Sequence, residues 1–151
     1  MLDVAIAYAA EKHKGQFDKG GQPYILHPLA VMHMVSKYTS NEAVRAIAVL
    51  HDVVEDTDAT INDIKGRFGN HVAEMVDLLS KRKGQSYDDY LERVMDNPKT
   101  MIVKAMDLRH NSDLTRLKDK GVSQKDIDRH KKYMVAYGKI ALALQDFGIY
   151  I

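Results

Sequence analysis

One imidazole and three carboxylates, those of His51, Asp52, Glu55 and Asp56, lie within six residues of one another. On a helix, residues four apart are neighbours, so His51 would share a face with Glu55, and Asp52 with Asp56. Such a cluster beside an apolar run is unfavourable unless a cation neutralises it, and a divalent metal ion does so. Taken alone, such a segment is more often a solvated acidic helix end.

Two further residues favour the metal site. His27 comes directly before Pro28 at the end of a glycine-rich loop, and Asp107 follows an apolar stretch that predicts at least partial burial. A buried aspartate is costly without a partner. Two histidines and two aspartates form a nitrogen and oxygen ligand set, without sulfur, that suits manganese, iron or zinc and leaves positions for water and substrate oxygen.

Helical spacing of apolar residues recurs along the chain, whereas sustained alternation is absent, which predicts an all-α fold, a compact helical bundle. A proline at the first position and polar capping residues mark several helix starts. We expect helices over the first residues, from Pro28 to Lys37, from Ser40 or Asn41 through Val54 and from Thr60 to Phe68. Further helices are expected after Gly69 to about Leu79, over 87–95, over 98–117, and from Ser123 onward.

Composition excludes several classes of function. The 151 residues fit a single domain spanning 1–151, and the absence of cysteine excludes disulfides and thiolate sites. With 22 basic and 21 acidic residues, no strong field would attract nucleic acid or an anionic membrane. No secretory signal and no membrane span is evident. We therefore expect a cytoplasmic protein with no nucleic-acid or membrane partner, and an oligomeric state that the sequence leaves open.

The order of these motifs resembles the H…HD…D signature of the HD superfamily of metal-dependent phosphohydrolases. More narrowly, it is similar to the (p)ppGpp pyrophosphohydrolase branch, which comprises the hydrolase domains of RelA/SpoT-type stringent-response enzymes and their stand-alone relatives. The likeness is carried by the loop GQFDKGGQPYILHP at 15–28, by HDVVEDT at 51–57 and by Phe68-Gly69 with the valines and Ser80-Lys81 that follow. It covers nearly the whole chain from Ala9 to about Tyr137.

The resemblance implies an HD-type helical bundle that hydrolyses the 3′-pyrophosphate of (p)ppGpp with a divalent metal and without synthetase activity, and we expect the metal to be Mn²⁺. It implies metal ligands at His27, His51, Asp52 and Asp107. It implies that Glu55 and Asp56 position and deprotonate the attacking water. Substrate contacts are expected from Lys19, Tyr24, Asn111 and Tyr133, and the cations Arg116 and Arg129 are candidates for polyphosphate binding rather than solvated helix faces.

Two positions depart from that branch. Its members carry an arginine that stacks on guanine just before the loop lysine, where this chain has Asp18, and an arginine directly after the second aspartate, where this chain has Leu108. An acid cannot make the stacking contact, so we expect weaker recognition of the base. Hydrolysis of another nucleotide or dinucleotide therefore remains an alternative, as does a catalytically silent nucleotide-sensing module.

Overall fold

The computed structural model describes residues 1–151, and its regular structure is entirely helical, as predicted. An isolated bridge between Phe17 and Pro23 is the only strand-like pairing. None of the helices combines the length and the apolar character needed to cross a membrane. The helices are α1 (Leu2–Lys12), α2 (Leu26–Val35), α3 (Glu42–Leu50), α4 (Val53–Asp56), α5 (Ile61–Phe68), α6 (Asn70–Leu79), α7 (Tyr87–Val94), α8 (Pro98–Asn111), a 3₁₀ helix (Leu114–Leu117) and α9 (Gln124–Gln145).

Side-chain caps fix several of these starts. Asn41, rather than Ser40, caps α3 by accepting a hydrogen bond from the Val44 amide at 3.2 Å. Thr60 forms a reciprocal capping box at the start of α5, and Ser123 forms another at the start of α9, each satisfying two otherwise unpaired backbone donors. The predicted starts of α5 and α9 are thereby confirmed.

Three predicted helix bounds were wrong. The second helix begins at Leu26, two residues before Pro28. The predicted helix over 98–117 ends at Asn111, because the Asp113 side chain accepts from the Thr115 amide and starts a separate 3₁₀ turn. The third helix does not continue through Val54 but stops at Leu50. There the His51 ring forms a hydrogen bond with the Ala48 carbonyl at 2.6 Å. In a continuing helix that carbonyl would accept from a backbone amide instead.

Three helices that pack against one another support the polar cluster. Helices α2, α3 and α8 are in mutual contact, and α9 packs on α8. Apolar side chains from each of the three are fully buried between them, including Val31, Ile47 and Met106. His27 lies on α2, His51 directly follows α3, and Asp107 lies on α8. The hydrophobic core therefore holds these three side chains in place from three directions.

Candidate active site

The four predicted metal ligands converge in the structure. One donor atom from each of His27, His51, Asp52 and Asp107 lies within 4.8 Å of the others. His27 Nε2 is 2.9 Å from Asp107 Oδ1, and His51 Nε2 is 3.1 Å from Asp52 Oδ2. The two histidines and Asp107 are almost completely buried. Residues 80 positions apart in the chain thus present their ligand atoms to one point.

The tautomer of His51 tests whether this cluster fits a metal ion. Its Nδ1 lies 2.6 Å from the Ala48 carbonyl, which only accepts, so Nδ1 carries the proton. In the neutral ring, Nε2 then directs a lone pair at the Asp52 and Asp107 carboxylates, and this buried nitrogen has no hydrogen-bond partner. Lone pairs that face one another at this distance repel unless a metal ion or a proton lies between them. The backbone carbonyl orients the ring as such groups orient metal-bound histidines, so the donor set fits a divalent metal.

Without a metal, protons must serve as the compensating charge. Burial opposes the charged form of His51, but the Asp52 and Asp107 carboxylates raise its pKa well above the ordinary value. Burial would likewise raise the pKa of Asp52, yet the two histidines hold it far below its usual range. Metal binding must displace a proton from this group of residues, so metal affinity should fall as the pH is lowered.

Lys104 is a member of the site that the sequence analysis missed. Its ammonium lies 2.8 Å from Asp107 Oδ2 and 5.1 Å from the centre of the Tyr90 ring. Burial disfavours its charge, but Asp107 raises the pKa of Lys104 well above the ordinary value. The lysine neutralises one oxygen of Asp107 while the other faces the cluster. A lysine within an apolar helix, three residues before an aspartate, is a signal that could have identified it.

A cavity of about 510 Å³ opens above the cluster, a size typical of small-molecule sites. His27 and His51 lie beneath its floor, while Asp52 and Asp107 reach its surface. All of the predicted catalytic and substrate-binding residues line it. They are Lys19, Tyr24, Glu55, Asp56, Asn111, Arg116, Arg129 and Tyr133, and Tyr87 and Tyr90 complete the opposite wall.

Glu55 and Asp56 face this cavity from the short helix α4. Partial burial against the cavity wall, together with the carboxylates of Asp52 and Asp56, raises the pKa of Glu55 to about 7. The pKa of Asp56 is also raised, by burial and by Asp52. A carboxylate with a pKa near neutrality is a better proton acceptor than an ordinary one, so Glu55 is suited to general-base chemistry.

Tyr24 contacts the carboxylates directly. Its hydroxyl donates to Asp52 Oδ2 at 2.6 Å and lies 3.3 Å from Asp56 Oδ2. Its ring packs on His13 and His27 at centroid distances of 4.9 and 5.8 Å. The Tyr24 hydroxyl therefore orients Asp52, and the ring is the part of the side chain that remains to contact a substrate.

The loop before α2 explains why an acid stands at position 18. Asp18 Oδ1 accepts from the Gln22 amide at 2.9 Å, and Oδ2 lies 3.3 Å from the Arg116 guanidinium. The loop approaches the 3₁₀ helix so closely that a Cβ on Gly20 would lie 2.1 Å from the Arg116 carbonyl oxygen. Asp18 therefore closes the loop and holds Arg116 at the cavity rim.

Two of the other candidates, Asn111 and Arg129, are also held by neighbours. Asn111 donates to Asp107 at 2.9 Å and accepts from Arg116 at 3.0 Å. Arg129 pairs with Asp126 at 2.9 Å. At the second departure from the family pattern, Leu108 lines the cavity and brings no charge. Its neighbour Arg109 turns away and packs on the Tyr137 ring. At both positions of departure, the cavity wall of this chain therefore carries no arginine.

Comparisons with known proteins agree with this geometry. Residues 5–146 match the family described as HD domain. The chain is 37% identical over 102 residues to a guanosine-3′,5′-bis(diphosphate) 3′-pyrophosphohydrolase of Vibrio cholerae, and 42% identical over 96 residues to the enzyme of that name in Haemophilus influenzae. These matches cover 68% and 63% of this chain but only 14% of each relative.

A solved structure extends the comparison to three dimensions. It is described as a metazoan ortholog of SpoT that hydrolyzes ppGpp and plays a role in starvation responses. The two structures superpose with a TM-score of 0.75 at 28% sequence identity, over 95% of this chain and 84% of the other. The similarity therefore spans the helices that carry the cluster and the cavity.

Proposed function

The chain belongs to the HD domain family, and on that premise we propose that it is a metal-dependent phosphohydrolase acting on a phosphorylated nucleotide. The observation that carries this proposal is the buried cluster of two histidines and two aspartates at the floor of a nucleotide-sized cavity. We propose that residues 1–151 form one hydrolase domain and that His27, His51, Asp52 and Asp107 hold the metal. The two aspartate carboxylates are oxygen ligands of the kind that suit Mn²⁺, which we propose as the ion.

The proposed roles follow from position and charge. When bound, a divalent ion makes water more acidic and offsets negative charge on a phosphoryl oxygen. Glu55 takes the proton of the attacking water, and Asp56 helps to hold that water. Lys19, Arg116 and Arg129 line the cavity with positive charge and contact the phosphates. Asn111 and Tyr133 face the remainder of the nucleotide.

The best substrate is (p)ppGpp, cleaved at its 3′-pyrophosphate. The names of the relatives and of the structural neighbour support this assignment. In that reaction the water oxygen adds to the phosphorus bonded to the ribose 3′ oxygen. The 3′ oxygen–phosphorus bond breaks, the ribose oxygen takes up a proton, and pyrophosphate leaves.

A panel of nucleotides tests the substrate assignment. Purified protein loaded with Mn²⁺ is assayed with guanosine and adenosine compounds that carry mono- or diphosphates at the 3′ and 5′ positions. We expect the highest kcat/KM for guanosine 3′,5′-bis(diphosphate), with cleavage only at the 3′ position. Turnover of 5′-phosphates alone, or of none of the compounds, would contradict the assignment.

The loss of two arginines from the cavity wall favours a second candidate. Asp18 and Leu108 occupy positions at which the (p)ppGpp pyrophosphohydrolase branch has arginines. We therefore expect phosphate contacts rather than base stacking to dominate binding. The same hydrolysis of a different nucleotide or dinucleotide is therefore the alternative substrate reaction. In the panel, it would appear as similar kcat/KM values for guanosine and adenosine compounds.

Asp18→Asn tests whether the ion pair restrains Arg116. Asparagine can still accept from the Gln22 amide and close the loop, but it no longer neutralises the guanidinium. We expect KM to fall by about 10-fold, roughly 1.4 kcal/mol, with kcat nearly unchanged and with no dependence on the base. Steady-state kinetics with guanosine and adenosine substrates measure this. Asp119→Asn, on the exposed surface nearby, is the control, and an unchanged or higher KM for Asp18→Asn would show that Arg116 does not bind phosphate.

A further inference from the structure

His110 contacts a predicted metal ligand from outside the cluster. Its Nδ1 lies 2.7 Å from Nδ1 of His27, and the two rings are nearly parallel, with an interplanar angle of 22°. The opposite nitrogen of the His27 ring, Nε2, is the one that faces Asp107 and Asp52. His110 lies on α8 three residues after Asp107, so one helix supplies both a ligand and a neighbour of another ligand.

Only one proton can lie between two nitrogens at this distance. If His110 donates it, the proton of neutral His27 sits on Nε2 and blocks that atom as a ligand. If His27 donates it, Nε2 carries the free lone pair that a metal requires. His110 therefore has to be the acceptor whenever His27 binds a metal. The carbonyl of Ala48 imposes the same tautomer on His51, from the other side of the cluster.

A second opening explains how His110 can play this part. A second cavity of about 370 Å³ is lined by both His27 and His110. His110 is only half-buried, so its Nε2 proton can be directed to water in that opening. The backbone of His110 is held in place because the Arg116 guanidinium donates to the His110 carbonyl at 3.2 Å.

We propose that His110 is a positioning residue that fixes the tautomer and orientation of His27 and thereby sets the metal affinity. This proposal rests on the metal site of the proposed function and adds a residue that touches neither the metal nor the substrate. Hydrogen-bonded neighbours of metal-binding histidines typically change metal affinity by roughly 10- to 100-fold when they are removed. The effect should therefore appear in metal binding itself, without any substrate.

A set of closely matched variants tests the proposal. Asparagine presents an amide oxygen where histidine has Nδ1, leucine has the same shape without an acceptor, and glutamine carries the amide one bond farther away. Titration calorimetry with Mn²⁺ should show affinity within about 3-fold of wild type for His110→Asn, and weakened by roughly 10- to 100-fold for His110→Leu and His110→Gln. His33→Leu, an exposed change on α2, is the control.

Each outcome decides the proposal. Thermal unfolding of the metal-free variants checks that they fold. If His110→Leu does not fold, His110→Gln tests the same loss of the acceptor. Wild-type affinity in both His110→Leu and His110→Gln, or an equal loss in His110→Asn, would overturn the role of His110 while leaving the metal site intact. A wild-type protein that binds no metal would instead overturn the proposed function together with this inference.

Discussion

Asp52→Ala is expected to abolish stoichiometric metal binding and, with it, hydrolysis. Asp52 Oδ2 lies within 3.4 Å of the Nε2 atoms of both His27 and His51, so its removal takes an oxygen ligand from the centre of the cluster. Elemental analysis of the dialysed protein measures metal content directly. Full metal content in the variant would disprove the proposed ligand set.

Thermal unfolding gives an independent readout of the same variant. A metal present at 100 times its Kd stabilises a folded protein by about 2.7 kcal/mol, so Mn²⁺ should raise the Tm of wild type but not that of Asp52→Ala. Asp58→Ala is the control, because Asp58 is exposed and forms an ion pair with Lys12 outside the cluster. Asp107→Ala is less suitable, because it would leave Lys104 buried without a partner and destabilise the metal-free protein as well.

Glu55→Gln is expected to retain the metal and bind substrate while kcat falls by roughly 10²–10⁴-fold, the range for a lost acid–base group. Glutamine keeps the size and polarity of the side chain but cannot take a proton. The raised pKa of Glu55, about 7, predicts the pH dependence. The base is active only when deprotonated, so kcat/KM of wild type should fall as the pH decreases below about 7.

Kinetics across pH 5–9 with metal analysis of each sample measure this prediction. The acidic limb should be missing from the residual activity of Glu55→Gln. Asp56→Asn is the matched comparison, and we expect a smaller decrease in kcat because Asp56 holds the water rather than taking its proton. If kcat of Glu55→Gln is close to that of wild type, Glu55 has no part in proton transfer.

The parts of the site that the sequence predicted depend on residue type and burial. Histidines and aspartates beside apolar helices need compensating charge, and few solutions to that requirement exist. Residue type and apolar neighbours predicted a metal site near His27, His51 and Asp107, and the resemblance to the HD superfamily implied the full ligand set with Asp52. Helical spacing put Asn111 on the same face as Asp107, one turn later, and Asn111 lines the cavity.

The parts that the sequence did not predict depend on contacts between distant segments. Periodicity does not reveal that the His51 ring bonds the Ala48 carbonyl, so the helix break at the cluster was missed. The pairing of Asp18 with Arg116, 98 positions later, and the contact of His110 with His27 arise only when α8 packs on α2. Lys104 was overlooked because a lysine is usually exposed, and here it is buried only because it pairs with Asp107.

The most direct test of the central claim is a ³¹P NMR time course of guanosine 3′,5′-bis(diphosphate) with the purified protein, before and after the metal is removed by a chelator. The account predicts pyrophosphate and GDP in equal amounts, loss of the reaction on chelation, and its return when Mn²⁺ is added. Release of inorganic phosphate in place of pyrophosphate, or a rate that chelation leaves unchanged, would contradict it.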